Sequence, residues 1–188
     1  NGVPADGDLW VSYSVNKEDM WISRIPVPVE INASAHADDD FSKNKSIAEL
    51  TDWNIYSPVW APVSLEDQWL KLQDKDPFDY AKVERKIPAS KELKVSFDLK
   101  AGQNNKGTLH IEFLDENGIA CSRMELTDDG IFRLKGGSRF ANMMKYEAGK
   151  IYHVEAVLST VDRNIQVYVD GKRVGLRMFF APVAAVER

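Results

Sequence analysis

Residues 149–175 read GKIYHVEAVLSTVDRNIQVYVDGKRVG, and their pattern decides the fold. Tyr152, Val154, Ala156 and Leu158 share one parity, and Ile165, Val167 and Val169 share one in the next run. An apolar side chain at every second position marks a strand with one buried face, because successive side chains of a strand point to opposite sides. Asp170-Gly171 between the second run and the next supplies residues that tolerate a positive φ, as a tight hairpin requires. The stretch therefore predicts antiparallel strands over 150–160, 163–170 and 172–180.

The same alternation extends outward. Val95, Phe97 and Leu99 share a parity, as do Leu109, Ile111 and Phe113, and Met124, Leu126, Phe132 and Leu134 join the inward set. Further strands are expected at 53–56, 67–73, 80–87, 92–100, 107–115, 118–126 and 130–135, with turn signals at Asn104-Asn105-Lys106-Gly107, Glu116-Asn117-Gly118 and Asp128-Asp129-Gly130. No sustained 3.6-residue period competes after Trp53, so helices should be few and short, apart from a helical turn near 46–50. Short strands at regular spacing predict an all-β antiparallel sandwich of the jelly-roll kind over 53–188. The segment from Gly136-Gly137 to Glu147 reads as a long irregular loop.

Ahead of this, LWVSYSV (9–15) and MWISRI (20–25) are two period-2 runs around the polar stretch 16–19, and they predict a separate β-hairpin within 1–29. Pro26 and Pro28 end its second strand, and 30–52 is expected to be a connector. The triplet Asp38-Asp39-Asp40 in that connector is the one place where calcium is considered; a solvated loop is the alternative, and no cofactor is otherwise expected. His36, His110 and His153 are scattered, and the single cysteine, Cys121, excludes an intrachain disulfide and a Cys-based zinc cluster. In a strand-like run Cys121 reads as a small packing residue and not as a nucleophile.

Lys and Arg total 24 against 29 Asp and Glu, a net charge of -5 with the signs interspersed. Nucleic acid and anionic membranes are poor partners for such a surface. No run approaches the roughly 18 apolar residues of a membrane span. The start at Asn1 and the strand-like 181–188 (APVAAVER) lead to the expectation that the chain belongs to a longer protein and that an edge of the sandwich is left unpaired.

The polar parity contains Glu84, Ser96, Asp98, His110, Glu112, Arg123, Glu125, His153, Glu155, Gln166 and Tyr168. If one sheet is concave, Glu84, Asp98, His110, Glu112, Arg123 and Glu125 are the expected sugar-binding set, because sugar hydroxyls need polar partners while the ring needs an apolar platform. Trp53, Tyr56, Trp60 and Trp69 are candidate platforms. The alternative is an ordinary solvent-facing sheet with cross-strand charge pairs, such as Glu112 opposite Arg123. Glu112 and Glu125 are the best carboxylate pair for glycosidic cleavage, but Phe113, Leu114 and Asp115 break the alternating Glu-x-Asp-x-Glu strand of jelly-roll glucanases.

The run IQVYVDGKRVG (165–175) after GKIYHVEAVL (149–158) resembles laminin-G-like and concanavalin-like jelly rolls, a resemblance that covers about residues 53–180. Residues 5–14 (ADGDLWVSYS) and 16–29 (NKEDMWISRIPVPV) resemble the last blade of a sialidase-like, Asp-box β-propeller of secreted bacterial proteins that degrade polysaccharides, although the initial Ser and the usual spacing are missing. The resemblance implies that catalysis resides in the propeller, with the 16–19 loop and Arg24 near its rim, and that none of its catalytic residues lies in this chain. It also implies an extracytoplasmic, bacterial location, and a polysaccharide or oligosaccharide and the propeller itself as partners. Three functions follow: a non-catalytic carbohydrate-associated module that binds sugar or buttresses the propeller, a glycoside hydrolase or lyase using Glu112 and Glu125, or a structural sandwich for protein interaction.

Overall fold

A computed structural model describes residues 7–15, 19–27 and 37–188. Residues 16–18 of the expected 16–19 loop and residues 30–36 of the connector, His36 among them, lie outside the described residues. The chain divides into two compact units, Asn1–Ala33 and Ser34–Arg188.

In the first unit, β1 (Gly7–Val15) pairs antiparallel with β2 (Asp19–Val27), with Leu9 opposite Ile25 and Tyr13 opposite Trp21. Arg24 pairs with Asp8 at 2.8 Å, and the Tyr13 and Ser23 hydroxyls lie 2.9 Å apart. Trp10, Met20 and Ile22 are exposed.

The second unit is an antiparallel β-sandwich. One sheet is ordered β11-β10-β9-β8, built from β8 (Leu109–Leu114), β9 (Ala120–Leu126), β10 (Ile131–Gly136) and β11 (Arg139–Lys145). The other is ordered β14-β13-β12-β7, from β7 (Glu92–Lys100), β12 (Ile151–Ser159), β13 (Asn164–Val169) and β14 (Lys172–Met178). Two small two-stranded sheets precede them: β3 (Trp53–Tyr56) with β6 (Lys82–Arg85), and β4 (Val63–Glu66) with β5 (Trp69–Leu72). Ile47–Glu49 forms one 3₁₀ turn.

The alternation read from the sequence is what builds the core. Met124, Leu134, Val154, Ala156, Leu158, Ile165 and Val167 are fully buried between the sheets, and Val95, Phe97, Leu99, Leu109 and Ile111 pack against them. Fully burying one such side chain larger than alanine contributes about 2 kcal/mol, so the six of them outweigh any single surface interaction in the unit. Gly175 permits a close approach where β14 meets the first sheet: a Cβ there would lie 2.7 Å from Met143 Sδ and 3.1 Å from Leu134 Cδ2.

Three expectations are corrected. The predicted strand 67–73 starts two residues late, at Trp69, because Asp67 and Gln68 both adopt positive φ (50° and 68°), the conformation of a two-residue hairpin connection to β4. The predicted loop between Gly136 and Glu147 is the strand β11, hydrogen-bonded along β10 with a bulge at Phe132/Arg133 that offsets its alternation. The strand-like 181–188 adds no strand to either sheet, so β7 and β8 remain outer strands and the tail is tied only at single points. Val186 is fully buried, it exchanges both backbone hydrogen bonds with Ser90 at 2.9 Å, and Leu114 N–H donates to Arg188 C=O at 2.8 Å. Cys121 sits in a bulge of β9 and is buried; desolvation pushes its thiol up to about 12, so it offers no thiolate.

Candidate functional site

The register of β8, β9 and β10 brings four of the six expected binding residues onto one outward face. His110 stands opposite Glu125, which stands opposite Arg133; in the neighbouring row Glu112 stands opposite Arg123. These positions face outward because Ile111, Met124 and Leu134, between them in sequence, face the core.

The charges on this face alternate and interlock. Arg123 places Nε and Nη2 each 2.6 Å from Glu112 Oε1. Arg133 places Nε at 2.8 Å and Nη2 at 2.7 Å from Glu125 Oε2. The other Glu125 oxygen meets His110 Nε2 at 3.4 Å and Arg123 Nη1 at 3.7 Å. The Glu125 side chain is only 4% exposed, so a carboxylate with little access to water is surrounded by two guanidiniums and an imidazole. Such a group is tolerated in the fold only because it is paired.

Beside these rows lies an aromatic platform that the sequence reading missed. Phe140, opposite Lys135 on β11, is 37% exposed, and the Arg133 guanidinium lies 4.4 Å from its ring centroid. Lys135 Nζ lies 5.8 Å from the same ring and 4.4 Å from that of Phe180. Arg133 was legible from its place between the inward Phe132 and Leu134. Phe140 was hidden because its strand begins after Gly136-Gly137, which reads as loop.

The remaining expected residues are elsewhere. Asp98 lies on β7 in the other sheet, with His153 Nδ1 at 2.8 Å, and Glu155 on the same sheet pairs with Lys94 at 2.7 Å. Glu84 lies on β6, bound to Lys82 at 2.8 Å and to Arg188 at 3.5 Å. The single face expected from Glu84 to Glu125 is therefore divided among three sheets, because parity within a strand does not specify which sheet the strand joins. Of the proposed platforms, Trp53 is half-buried, donates to Asp39 at 3.2 Å and packs on Phe41, and Trp69 is half-buried in β5. Trp60 is exposed, and Tyr56 forms a tilted pair with Tyr80 at 5.6 Å. The Tyr56 hydroxyl donates to Asp79 at 2.9 Å, and that bond raises its pKa above the ordinary tyrosine value.

Two carboxylates of the acidic triplet are engaged by neighbours: Asp39 binds Arg85 at 3.3 Å, and Asp40 accepts from the Ser42 N–H and hydroxyl. Those Ser42 bonds hold the Asp40 carboxyl below the usual range. Among the described residues no three His, Cys, Asp or Glu side chains gather as a metal site. As a chemical device the β8–β11 face presents preorganised donors and acceptors beside an exposed ring.

Comparison with known proteins adds the following. A family model described as "Sialidase-like, CBM domain", a carbohydrate-binding module, matches residues 53–188. A solved chain named "Sialidase" is 89% identical over 100% of this chain, with a TM-score of 0.88. The present chain spans 17% of that sialidase's length. A heptameric SAP-like pentraxin from Limulus polyphemus is 25% identical over 54% of this chain and 52% of its own, with a TM-score of 0.41. No curated protein matches.

Proposed function

The chain belongs to the sialidase-like carbohydrate-binding-module family, and from that premise we propose that it is a non-catalytic module that seats a saccharide on the outer face of β8–β11. The carbohydrate-binding role in a sialidase-like protein rests on the family; the seat rests on one observation, the exposed Phe140 ring beside the fixed row Arg133–Glu125–His110. A sugar stacks its C–H face on the ring and directs hydroxyls to the flanking carboxylates, guanidiniums and imidazole. Because these side chains are already held by one another, little rotamer entropy is lost when the ligand arrives.

The same pairing argues against glycosidic cleavage by Glu112 and Glu125. An acid catalyst must face the leaving oxygen as a free carboxyl group, whereas each of these is engaged by a guanidinium at 2.6–2.8 Å. Catalysis on the polysaccharide is assigned to the remainder of a longer secreted bacterial protein, whose propeller would take β1 and β2 as a terminal hairpin. The exposure of Trp10, Met20 and Ile22 on a sheet of only two strands supports that assignment, since such a ribbon is at best marginally stable by itself. Within that protein the sandwich, of concanavalin-like and laminin-G-like type, holds substrate near the propeller.

Titration of the chain with neutral oligosaccharides tests the seat. Phe140→Ala should weaken binding about tenfold, the loss expected from one sugar–aromatic stack, while the melting temperature changes little. Unaltered affinity in that variant would remove the proposed seat.

A further inference from the structure

The loops around the β4–β5 hairpin carry a surface that the saccharide seat does not use. Tyr56 ends β3, Val59 and Trp60 precede β4, and Phe78 and Tyr80 lie between β5 and β6. All five side chains are exposed, Trp60 by 67% and Phe78 by 96%. Single apolar side chains are ordinary on a surface, but a concentration of large ones in one short segment is the pattern of an interaction surface.

The segment is held in place by its own hydrogen bonds. Gln73 N–H donates to Pro62 C=O at 3.0 Å and Lys75 N–H to Trp60 C=O at 2.9 Å, which carries the β4–β5 ladder out to Trp60. Asp74 accepts the Asp76 N–H at 2.9 Å, Asp76 the Phe78 N–H at 2.9 Å and Asp79 the Tyr80 N–H at 2.8 Å. The Tyr56 hydroxyl, 2.9 Å from Asp79, and the Tyr56–Tyr80 ring pair tie β3 to the same segment. The aromatic side chains thus project from a fixed backbone, and little entropy is lost when a partner covers them.

The charge of the segment has one sign. Between Ser57 and Tyr80 stand Glu66, Asp67, Asp74, Asp76 and Asp79 against Lys71 and Lys75, a net charge of -3. Lys71 is engaged by Glu66 at 2.8 Å. Among the described residues Asp74, Asp76 and Asp79 make no ion pair, and Lys75 is the one ammonium of the segment left to face them. Aromatic side chains set among carboxylates are repelled by an anionic lipid surface and match a basic protein surface with an apolar recess.

We propose that this patch is the docking surface by which the module is fixed to the rest of its sialidase-like protein, with Trp60 and Phe78 as anchors in an apolar recess rimmed by Lys or Arg. The charge of the segment selects a basic partner surface. The chain's span of 17% of the sialidase to which it is 89% identical selects where that surface lies, since in such a protein it is tethered to the module at high effective concentration. The proposal rests on the module belonging to such a protein, and not on where the saccharide sits.

The test is hydroxyl-radical footprinting, read by mass spectrometry, of the free chain and of the 89%-identical sialidase carrying this chain in place of its own counterpart. Trp60 and Phe78 should be modified about tenfold more slowly in the intact protein than in the free chain, because docked anchors are closed to water. Phe78→Ser should return Trp60 in the intact protein to its free-chain rate. The same variant should leave the melting temperature of the free chain unchanged, because so exposed a side chain packs on little. Asp74→Asn with Asp76→Asn keeps the oxygens that accept the backbone N–H groups and removes the charge; it should cost most of the protection, as should high salt. Equal rates in the free chain and the intact protein, or protection that survives both variants, overturns the docking surface. An oligosaccharide, or vesicles of phosphatidylcholine and phosphatidylglycerol, added to the free chain forms the competing arm. Slowing of Trp60 and Phe78 by either assigns the patch to a saccharide or a lipid and likewise overturns docking. Slowing of Phe140 by the oligosaccharide leaves the saccharide seat standing whatever the docking result, so the two failures are distinguishable.

Discussion

Glu125 shows most clearly how the polar face is held. Its carboxylate is nearly closed to water, and Arg133 supplies its two shortest contacts, at 2.7 and 2.8 Å. Arg133→Ala strands that charge with only the longer contacts to His110 and Arg123, and should cost about 2 kcal/mol, discounted from the cost of breaking a fully buried pair because Arg133 itself touches solvent. Denaturant unfolding measures this. A double-mutant cycle with Glu125→Gln should show coupling, since the second substitution removes the orphaned charge. A second residue-scale consequence concerns Cys121, whose thiol is pushed up to about 12 by burial. Its folded-state pKa exceeds the unfolded one, so its contribution is fully present below the unfolded value and is lost as pH rises toward the folded value. Wild type should therefore lose stability relative to Cys121→Ala above about pH 9, and the native thiol should resist alkylation at pH 8 until the chain unfolds. Glu112→Gln tests the catalytic alternative: release of reducing ends from polysaccharide should stay at background in both wild type and variant.

Among the elements, those with clean alternation were legible and those with unusual turns were not. The strands β7, β8, β9, β10, β12, β13 and β14 follow from apolar parity, and the pairing of Glu112 with Arg123 follows from the turn between them. The β4–β5 hairpin escaped because Asp67-Gln68 is not a residue pair that announces two positive φ angles, although the backbone adopts them. The same mismatch predicts a gain. Asp67→Asn with Gln68→Gly should stabilise the unit by about 1 kcal/mol, a rise of roughly 2–4 °C in melting temperature, visible by calorimetry. β11 escaped for a different reason: the turn before it carries Gly136-Gly137, which reads as loop, and the bulge at Phe132/Arg133 offsets its pairing with β10. Since β11 carries Phe140, the polar half of the proposed seat was legible and its aromatic half was not.

At the scale of the molecule, sequence parity specifies which side chains face out, and only topology specifies which of them share a surface. The six residues expected together separate into four on the β8–β11 face, one on the β7 sheet and one on β6. The family match covers residues 53–188, and the chain spans 17% of the length of a sialidase to which it is 89% identical. Among the described residues no helix is long and apolar enough to cross a membrane. The central claim, a saccharide seat on the β8–β11 face, is tested most directly by mapping amide chemical-shift changes of the labelled chain during titration with a neutral oligosaccharide. The account predicts the largest shifts on His110, Glu112, Arg123, Arg133 and Phe140; shifts confined to the Tyr56–Tyr80 loops, or none at saturating sugar, would contradict it.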